Sequence, residues 1–434
     1  MPQKINIFWF RRDLRLEDNA GLFHALDAGL PVLPVFIFDR DILDELEERS
    51  DARVSFIYHA LEQMQERLVK LGSSLDVRYG HPLEIWKKLI KEYDINAVYA
   101  NKDYEPYARG RDKEVKNILV KKSINFLLYK DQVVFEEAEV TKDDGLPYMV
   151  FTPYSRKWRA LLQPEHCQPY KSKRNPAFLA LAPKALPTLA FMGFTPAENF
   201  PTSPSIDEAI VQDYDKTRDI PSLPGTTHLG VHLRFGTVSI RKLVARAVEL
   251  NPIFLGELIW REFFMQMLWH RPDVVGEPCK KEYAHIRWRN NEKEFERWCE
   301  GNTGYPLVDA GMRELNATGF MHNRVRMVTA SFLVKHLLID WRWGEAYFAK
   351  KLLDYELSSN NGNWQWVAGC GCDAAPYFRI FNPAAQTKRF DPQLKYIKKW
   401  IPELDGLSYP EPMVDHELAR ARCLKVYKEA LQRK

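Results

Sequence analysis

Apolar runs and amphipathic stretches alternate through the first part of the chain. INIFWF (5–10), PVLPVFIF (31–38), SLDVRYG (74–80) and INAVYA (95–100) have the length and the β-branched or aromatic content of strands, and helical stretches separate them. Between Arg53 and Leu68, the residues Ile57, Leu61, Met64 and Leu68 recur at helical spacing, which predicts a helix laid against a sheet. Strands alternating with helices predict an α/β N-terminal domain with a parallel, Rossmann-like sheet. No G-x-G-x-x-G follows the first strand, so a dehydrogenase-type dinucleotide site has no support.

From about Asn125 the periodicity weakens and prolines accumulate, as in PAFLALAPKALPTLAFMGFTPAENFPTSP, the composition of a linker running over a surface. Beyond Asp207 strand signals nearly vanish. SIRKLVARAVEL, FLGELIWREFFMQML, MHNRVRMVTASFLVKHLL and WGEAYFAKKLLDYEL follow one another as helices, which predicts an all-α C-terminal domain. The expected organisation is an α/β domain over 1–130, an interdomain linker over 131–204 and a helical domain over 205–434.

Composition removes several function classes. No apolar stretch approaches the ~20 residues needed to cross a bilayer, and MPQKINIFWFRRDLR lacks a signal-peptide core and cleavage site, so a cytoplasmic location is expected. A net charge of +4 is too modest to indicate nucleic acid by itself. Aromatic residues at 13%, with twelve tryptophans, exceed what a core requires and suggest a flat ligand. The six cysteines, at 167, 279, 299, 370, 372 and 423, include no paired Cys-x-x-Cys or Cys/His element. They read as small buried hydrophobes in a reducing compartment, and no metal is expected.

Two helices carry polar stripes. Glu257, Trp260, Arg261 and Phe264 are spaced i, i+3, i+4, i+7, and Asn323, Arg326, Met327 and Ala330 align in the same way. A buried Arg326 needs a carboxylate, and Asp354 is the candidate. Upstream, Gly225, Thr226 and Thr227 offer amides and hydroxyls suited to phosphate.

FWFRRDLRLEDN, GELIWREFF, TGFMHNRVRMVTASFLVKHLLIDW and NNGNWQWVAGCGCDAAPYFRIFNP together resemble the cryptochrome/photolyase family over nearly the whole chain, most of all a class I cyclobutane pyrimidine dimer photolyase. The resemblance implies an α/β antenna domain and a helical domain holding a U-shaped FAD. The implied reaction is light-driven electron transfer from reduced FAD to a flipped-out dimer in DNA. On this resemblance Trp260 and Trp366 flank the dimer, Glu257 bonds its carbonyl edge with a carboxyl whose pKa is raised by burial, Met327 lies beside them and Asn360 faces the flavin. Trp288, Trp341 and Trp364 form the electron relay. FAD contacts carried over are Tyr214, Thr226, Thr227, His228, Leu229, Gly230, Glu257, Arg261, Asn323, Arg326, Asp354, Tyr355, Glu356 and Asn360. DNA contacts are Glu257, Trp260, Arg261, Glu262, Asn323, Arg324, Trp366 and Arg379.

Some positions depart from the family pattern. His228 and Gly230 stand where many relatives have Arg and Ser, and Glu356 replaces the more usual Asp. Ala108 stands where folate-binding relatives place a glutamate, which speaks against methenyltetrahydrofolate and leaves another flavin, a deazaflavin or no antenna. Asn323 and Met327 occupy the positions of the histidines in relatives that repair (6-4) photoproducts, so cyclobutane dimers are the expected substrate. Both stacking tryptophans are present, which favours duplex DNA, and a monomer is expected. The alternative is a cryptochrome-like flavin photoreceptor without repair activity, which the carboxylate at Glu257 and the chain end at Lys434 disfavour.

Overall fold

INIFWF and VLPVFIFD are apolar without alternation because both faces of their strands are covered, the pattern of central strands in a parallel sheet. They form β1 (Ile5–Phe10) and β2 (Val32–Asp39), every residue of which is buried. With β3 (Asp76–Gly80), β4 (Ile95–Asn101) and β5 (Asn125–Tyr129) they make a five-stranded sheet of order β3-β2-β1-β4-β5, parallel throughout. Parallel neighbours require crossovers, and helices supply them. The longest, Ala52–Lys70, starts on the cap Asp51 and buries Leu61, Met64 and Leu68 as expected. Phe56 is also buried, and Ile57 lies at the margin of that face.

The structure, a computed structural model, describes residues 3–171, 176–198, 200–202 and 204–432; positions 172–175, 199 and 203 of the expected linker lie outside these. The chain divides into two units, each gathered from separate stretches. The first is Met1–Val140, Trp158–Ile206 and His228–Glu249, and the second is Thr141–Lys157, Asp207–Thr227 and Leu250–Lys434.

In the first unit the arginines of FRRDLR are internal struts. Arg12 pairs with Asp103 at 3.2 Å and Glu105 at 3.0 Å, Arg15 with Asp131 at 2.6 Å, and Arg241 with Asp18 at 2.8 Å. Burial pushes the Asp13 carboxyl upward, whereas the Asp131 carboxyl, equally buried, is held below its ordinary range by Arg15 and Arg241. Strand β5, in a region without clear periodicity, is an edge strand on which only Phe126 is buried.

The second unit is helical. Asn251 accepts from the amides of Ile253 (2.9 Å) and Phe254 (3.2 Å) and so caps Pro252–His270, with proline at the first helical position where no amide hydrogen is required. Asn323–Ser331 continues into a π-helical turn, Phe332–His336, before Trp341–Lys351 and Leu357–Ala368. Glycines allow the last helix a close seat on both sides. A Cβ at Gly344 would lie 2.1 Å from the Trp364 ring, and one at Gly362 would lie 2.2 Å from Phe264. The π turn buries Lys335, whose Nζ donates to the carbonyls of Ala368 (3.1 Å) and Tyr377 (3.3 Å); burial pulls its pKa down to about 8.

The cysteines need a correction. Cys370 and Cys423 are buried packing residues, but Cys279 and Cys372, 93 residues apart, are joined as a disulfide. Two single cysteines in unrelated sequence contexts carry no pairing signal, because only the fold brings their Cα atoms within bonding reach. Among the described residues no helix is long and apolar enough to cross a membrane, and no cluster of three or more His, Cys, Asp or Glu could hold a metal ion.

Candidate active site

Four helices of the second unit line a cavity of about 400 Å³, Trp341–Lys351 through Phe348. Pro252–His270 contributes Glu257, Trp260, Arg261 and Phe264, the predicted stripe in full. Asn323, Arg326, Met327 and Ala330 come from Asn323–Ser331, and Asn360, Trp364, Trp366 and Val367 from Leu357–Ala368. The turn before the last helix adds Asp354, Tyr355 and Glu356. Apolar and aromatic side chains thus share the bowl with many converging polar and charged ones, and its volume falls in the range of a cofactor or substrate site.

The polar groups are held in place by one another. The Arg326 Nη2 donates to Asp354 Oδ2 at 2.9 Å and its Nε to the Met321 carbonyl at 2.7 Å. Arg261 pairs with Glu356 at 3.5 Å, both side chains largely buried. The Asn360 Nδ2 donates to both the carbonyl (3.0 Å) and the carboxyl Oε1 (2.8 Å) of Glu345, so its two amide hydrogens are engaged and its Oδ1 can only accept. Burial raises the Glu345 pKa.

Arg218, which carried no sequence signal, also lines the cavity. Its Nη1 donates to Glu257 Oε1 at 2.6 Å, and its guanidinium lies over the Tyr214 ring at 5.2 Å. Glu257 is therefore not the buried carboxyl expected of it: its side chain is 34% exposed and ion-paired. Tyr214 packs edge-on to Phe254, and burial, with the Glu257 charge adding to it, raises its hydroxyl pKa.

The two indoles expected to flank a ligand are backed differently. Trp260 lies flat on Phe151, ring centroids 3.6 Å apart and planes 6° from parallel. Arg379 stands over Trp366 at 5.5 Å. Trp364 is buried against Phe348 (5.0 Å) and Trp298 (6.2 Å). Trp341 and Trp288 line a second, smaller cavity of about 90 Å³ with Asp340 and Arg342.

Other expected residues lie elsewhere. Glu262 is buried on the far side of its helix from the Glu257 stripe, where the Tyr154 hydroxyl donates to it at 3.5 Å; i and i+5 positions do not share a face, so no DNA contact is open to it. Arg324 pairs with Asp219 at 2.7 Å and stacks over Phe390 at 4.4 Å, away from the cavity. Thr226 and Thr227 belong to the second unit, and His228, Leu229 and Gly230 to the first, with His228 in the left-handed region at φ 52°.

Residues 6–176 match the family described as DNA photolyase, and residues 254–408 match the FAD binding domain of DNA photolyase. The chain is 37% identical to the deoxyribodipyrimidine photo-lyase of Vibrio cholerae, across 98% of this chain and 100% of that one, and 34% identical to its Escherichia coli counterpart across 98% of each. Among solved structures, a class III photolyase from Agrobacterium tumefaciens superposes with a TM-score of 0.87 at 33% identity, covering 99% of this chain and 98% of that one. An archaeal photolyase from Sulfolobus tokodaii, solved with two FAD molecules, gives 0.84 at 34% identity, with coverage of 98% and 99%. The class I placement is thereby corrected. Most of the motifs behind it line the cavity, where any photolyase meets the same chemical demands, so they carry the family and not the class. On the length and closeness of these matches, the chain belongs to the cryptochrome/photolyase family.

Proposed function

We infer that this chain carries out light-driven repair of cyclobutane pyrimidine dimers in DNA, using reduced FAD that, once excited, lends the dimer one electron and takes it back after both ring bonds have opened. The observation that carries the reading is the single cavity in which Glu257, Trp260 and Trp366 meet Asn360 and the Arg326–Asp354 pair.

The residues present fit the cofactor. Among the described residues Asp354 Oδ1 is buried without a hydrogen-bond partner, an expensive state that a ring N–H donor would relieve. Its other oxygen is held by Arg326, so an acceptor and a guanidinium stand side by side, matched to the alternating donor and acceptor edge of a flavin. Asn360 presents a carbonyl oxygen and no formal charge. Phe348, Leu352 and Val367 supply apolar wall. Arg261, Asn323, Arg326, Asp354, Tyr355, Glu356 and Asn360 would hold the group, with Tyr214, Thr226 and Thr227 of the same unit as further candidate contacts. FAD is the cofactor; the antenna chromophore stays open among a second flavin, a deazaflavin and none.

Photolyases take their target out of the duplex stack. Trp260 and Trp366 receive the extruded pair by stacking, which is worth ~1–3 kcal/mol per base and indifferent to sequence. Glu257, oriented by Arg218, takes the hydrogen-bonding edge, and Met327 fills the space between as a soft apolar contact. Arg379, beside Trp366, meets the phosphate backbone, so affinity falls with salt. Trp288, Trp341 and Trp364 supply electrons from the surface inward. The partner is dimer-containing duplex DNA, and a monomer in the cytoplasm completes the reading.

The test is an absorption spectrum of the purified protein followed by repair of dimer-containing oligonucleotides in light and dark. Yellow protein with light-dependent loss of dimers is expected. A flavin spectrum and light-driven flavin reduction without repair would instead mark a photoreceptor, and a colourless protein would refute both.

A further inference from the structure

Trp260 has two faces, and one is already used. Phe151 covers it at 3.6 Å and 6°, a parallel stack that fixes both the plane of the indole and which face lines the cavity. Phe263 stands edge-on to both rings, 5.6 Å from Trp260 and 5.9 Å from Phe151, so the stack cannot shear toward it.

Phe151 is itself positioned from a distance. It is the first residue of the helix Phe151–Leu161, and its amide hydrogen, which no preceding turn can satisfy, is donated to Asp373 Oδ2 at 3.0 Å. Asp373 follows Cys372, which is tied covalently to Cys279. The same short stretch anchors Trp366, which also lines the cavity. The Gly371 amide donates to the Gln365 carbonyl at 3.0 Å, that of Ala375 donates to the Trp366 carbonyl at 3.2 Å, and Arg379 covers the Trp366 ring.

We propose that Phe151 and Asp373 are positioning residues for dimer recognition: Asp373 places Phe151, and Phe151 holds Trp260 at the angle and distance from Trp366 that admits a stacked pyrimidine pair. This rests on the dimer-repair reading above. Both residues act through Trp260 and touch no reacting atom. Their loss therefore weakens selection of the lesion and leaves the flavin chemistry alone.

The measurement is dark binding of the flavin-loaded protein to duplex oligonucleotides with and without one thymine dimer, beside flavin content and the rate of light-driven flavin reduction. Phe151→Leu and Asp373→Ala are expected to weaken dimer binding by about 2- to 12-fold, the range of one aromatic stack, with undamaged-DNA binding, flavin content and photoreduction unchanged. Asp373→Asn keeps an acceptor oxygen and Phe151→Tyr keeps the ring, so both retain dimer affinity even if the harsher variants fold poorly. The inference is overturned if Phe151→Leu and Asp373→Ala bind the dimer like wild type, if they lose dimer and undamaged binding equally, or if the conservative pair loses as much as the harsh pair. Wild-type protein with no preference for dimer-containing DNA would refute the repair reading itself, which separates the two failures.

Discussion

Gly344→Ala tests the seat of Trp364, a member of the proposed electron relay. The added methyl would stand 2.1 and 2.5 Å from two atoms of the Trp364 ring and 2.6 Å from a Leu333 methyl. Carbon atoms settle at about 3.5–4.0 Å, so the ring must retreat by more than about 1 Å. Phe348 and Trp298 close its other sides, and its helix cannot back away freely because Phe264 already presses on Gly362. Overpacking of this kind costs about 1–3 kcal/mol, or somewhat more for an immovable ring, and the better helix propensity of alanine returns up to about 1 kcal/mol. The net loss is about 1–2 kcal/mol. For a unit of this size that lowers the melting temperature by roughly 2–8 °C, and the displaced indole slows flavin photoreduction. The assays are a thermal scan followed by flavin release and a photoreduction time course with an external donor. Gly110→Ala, on the exposed helix Pro106–Val120 with nothing within 4 Å, is the control and should be neutral or slightly stabilising. Unchanged melting and photoreduction in Gly344→Ala would refute the close seat of Trp364 on that helix.

Three further outcomes are expected. Asp354→Asn removes the charge that holds Arg326; because both side chains are only partly buried, the loss should be modest, about two- to fivefold in FAD affinity, read as the flavin-to-protein ratio after dialysis. Glu257→Ala should keep its FAD but lose repair yield and dimer affinity, and an unchanged yield removes Glu257 from the mechanism. His336 is buried against His416 (2.8 Å), with Arg422 close by and Phe332 stacked on it, and burial first, then its neighbours His416 and Arg422, lowers its pKa to about 3 from the ordinary 6.5. A depressed histidine must stay neutral in the fold, so the stability it supplies is intact above pH 6.5 and drains away as pH falls toward 3. His336→Gln should flatten the decline in melting temperature between pH 6.5 and 4.5, and parallel curves for the two proteins would refute the assignment.

The two polar stripes were readable because helical spacing alone puts Glu257 with Trp260 and Arg326 with Met327, and the need of a buried guanidinium for a carboxylate pointed to Asp354. Residues without periodicity were invisible. Arg218 sits in YDKTRDIP, a short turn-rich stretch where no face is defined, and Phe151 lies in a region read as linker. Glu262 shows the reverse failure, since adjacency to Arg261 in sequence says nothing about a helix face 100° away. The strand Asn125–Tyr129 escaped notice because an edge strand with one buried residue has no alternation to detect. The Cys279–Cys372 bond exists only through tertiary proximity.

Asn360, Trp364 and Trp366 ride on one twelve-residue helix, Leu357–Ala368, seated against Phe264 at its own Gly362 and, through Trp364, against Gly344 of Trp341–Lys351. On the proposed reading, charging the cofactor and presenting the lesion to it are both served from this common rod. Because tunnelling decays exponentially with separation, loose hinges between donor, reservoir and acceptor would make every transfer hostage to thermal breathing. Mounted together, Asn360, Trp364 and Trp366 keep the backbone spacing that one helix imposes, and on the proposed reading that spacing sets where flavin and lesion meet.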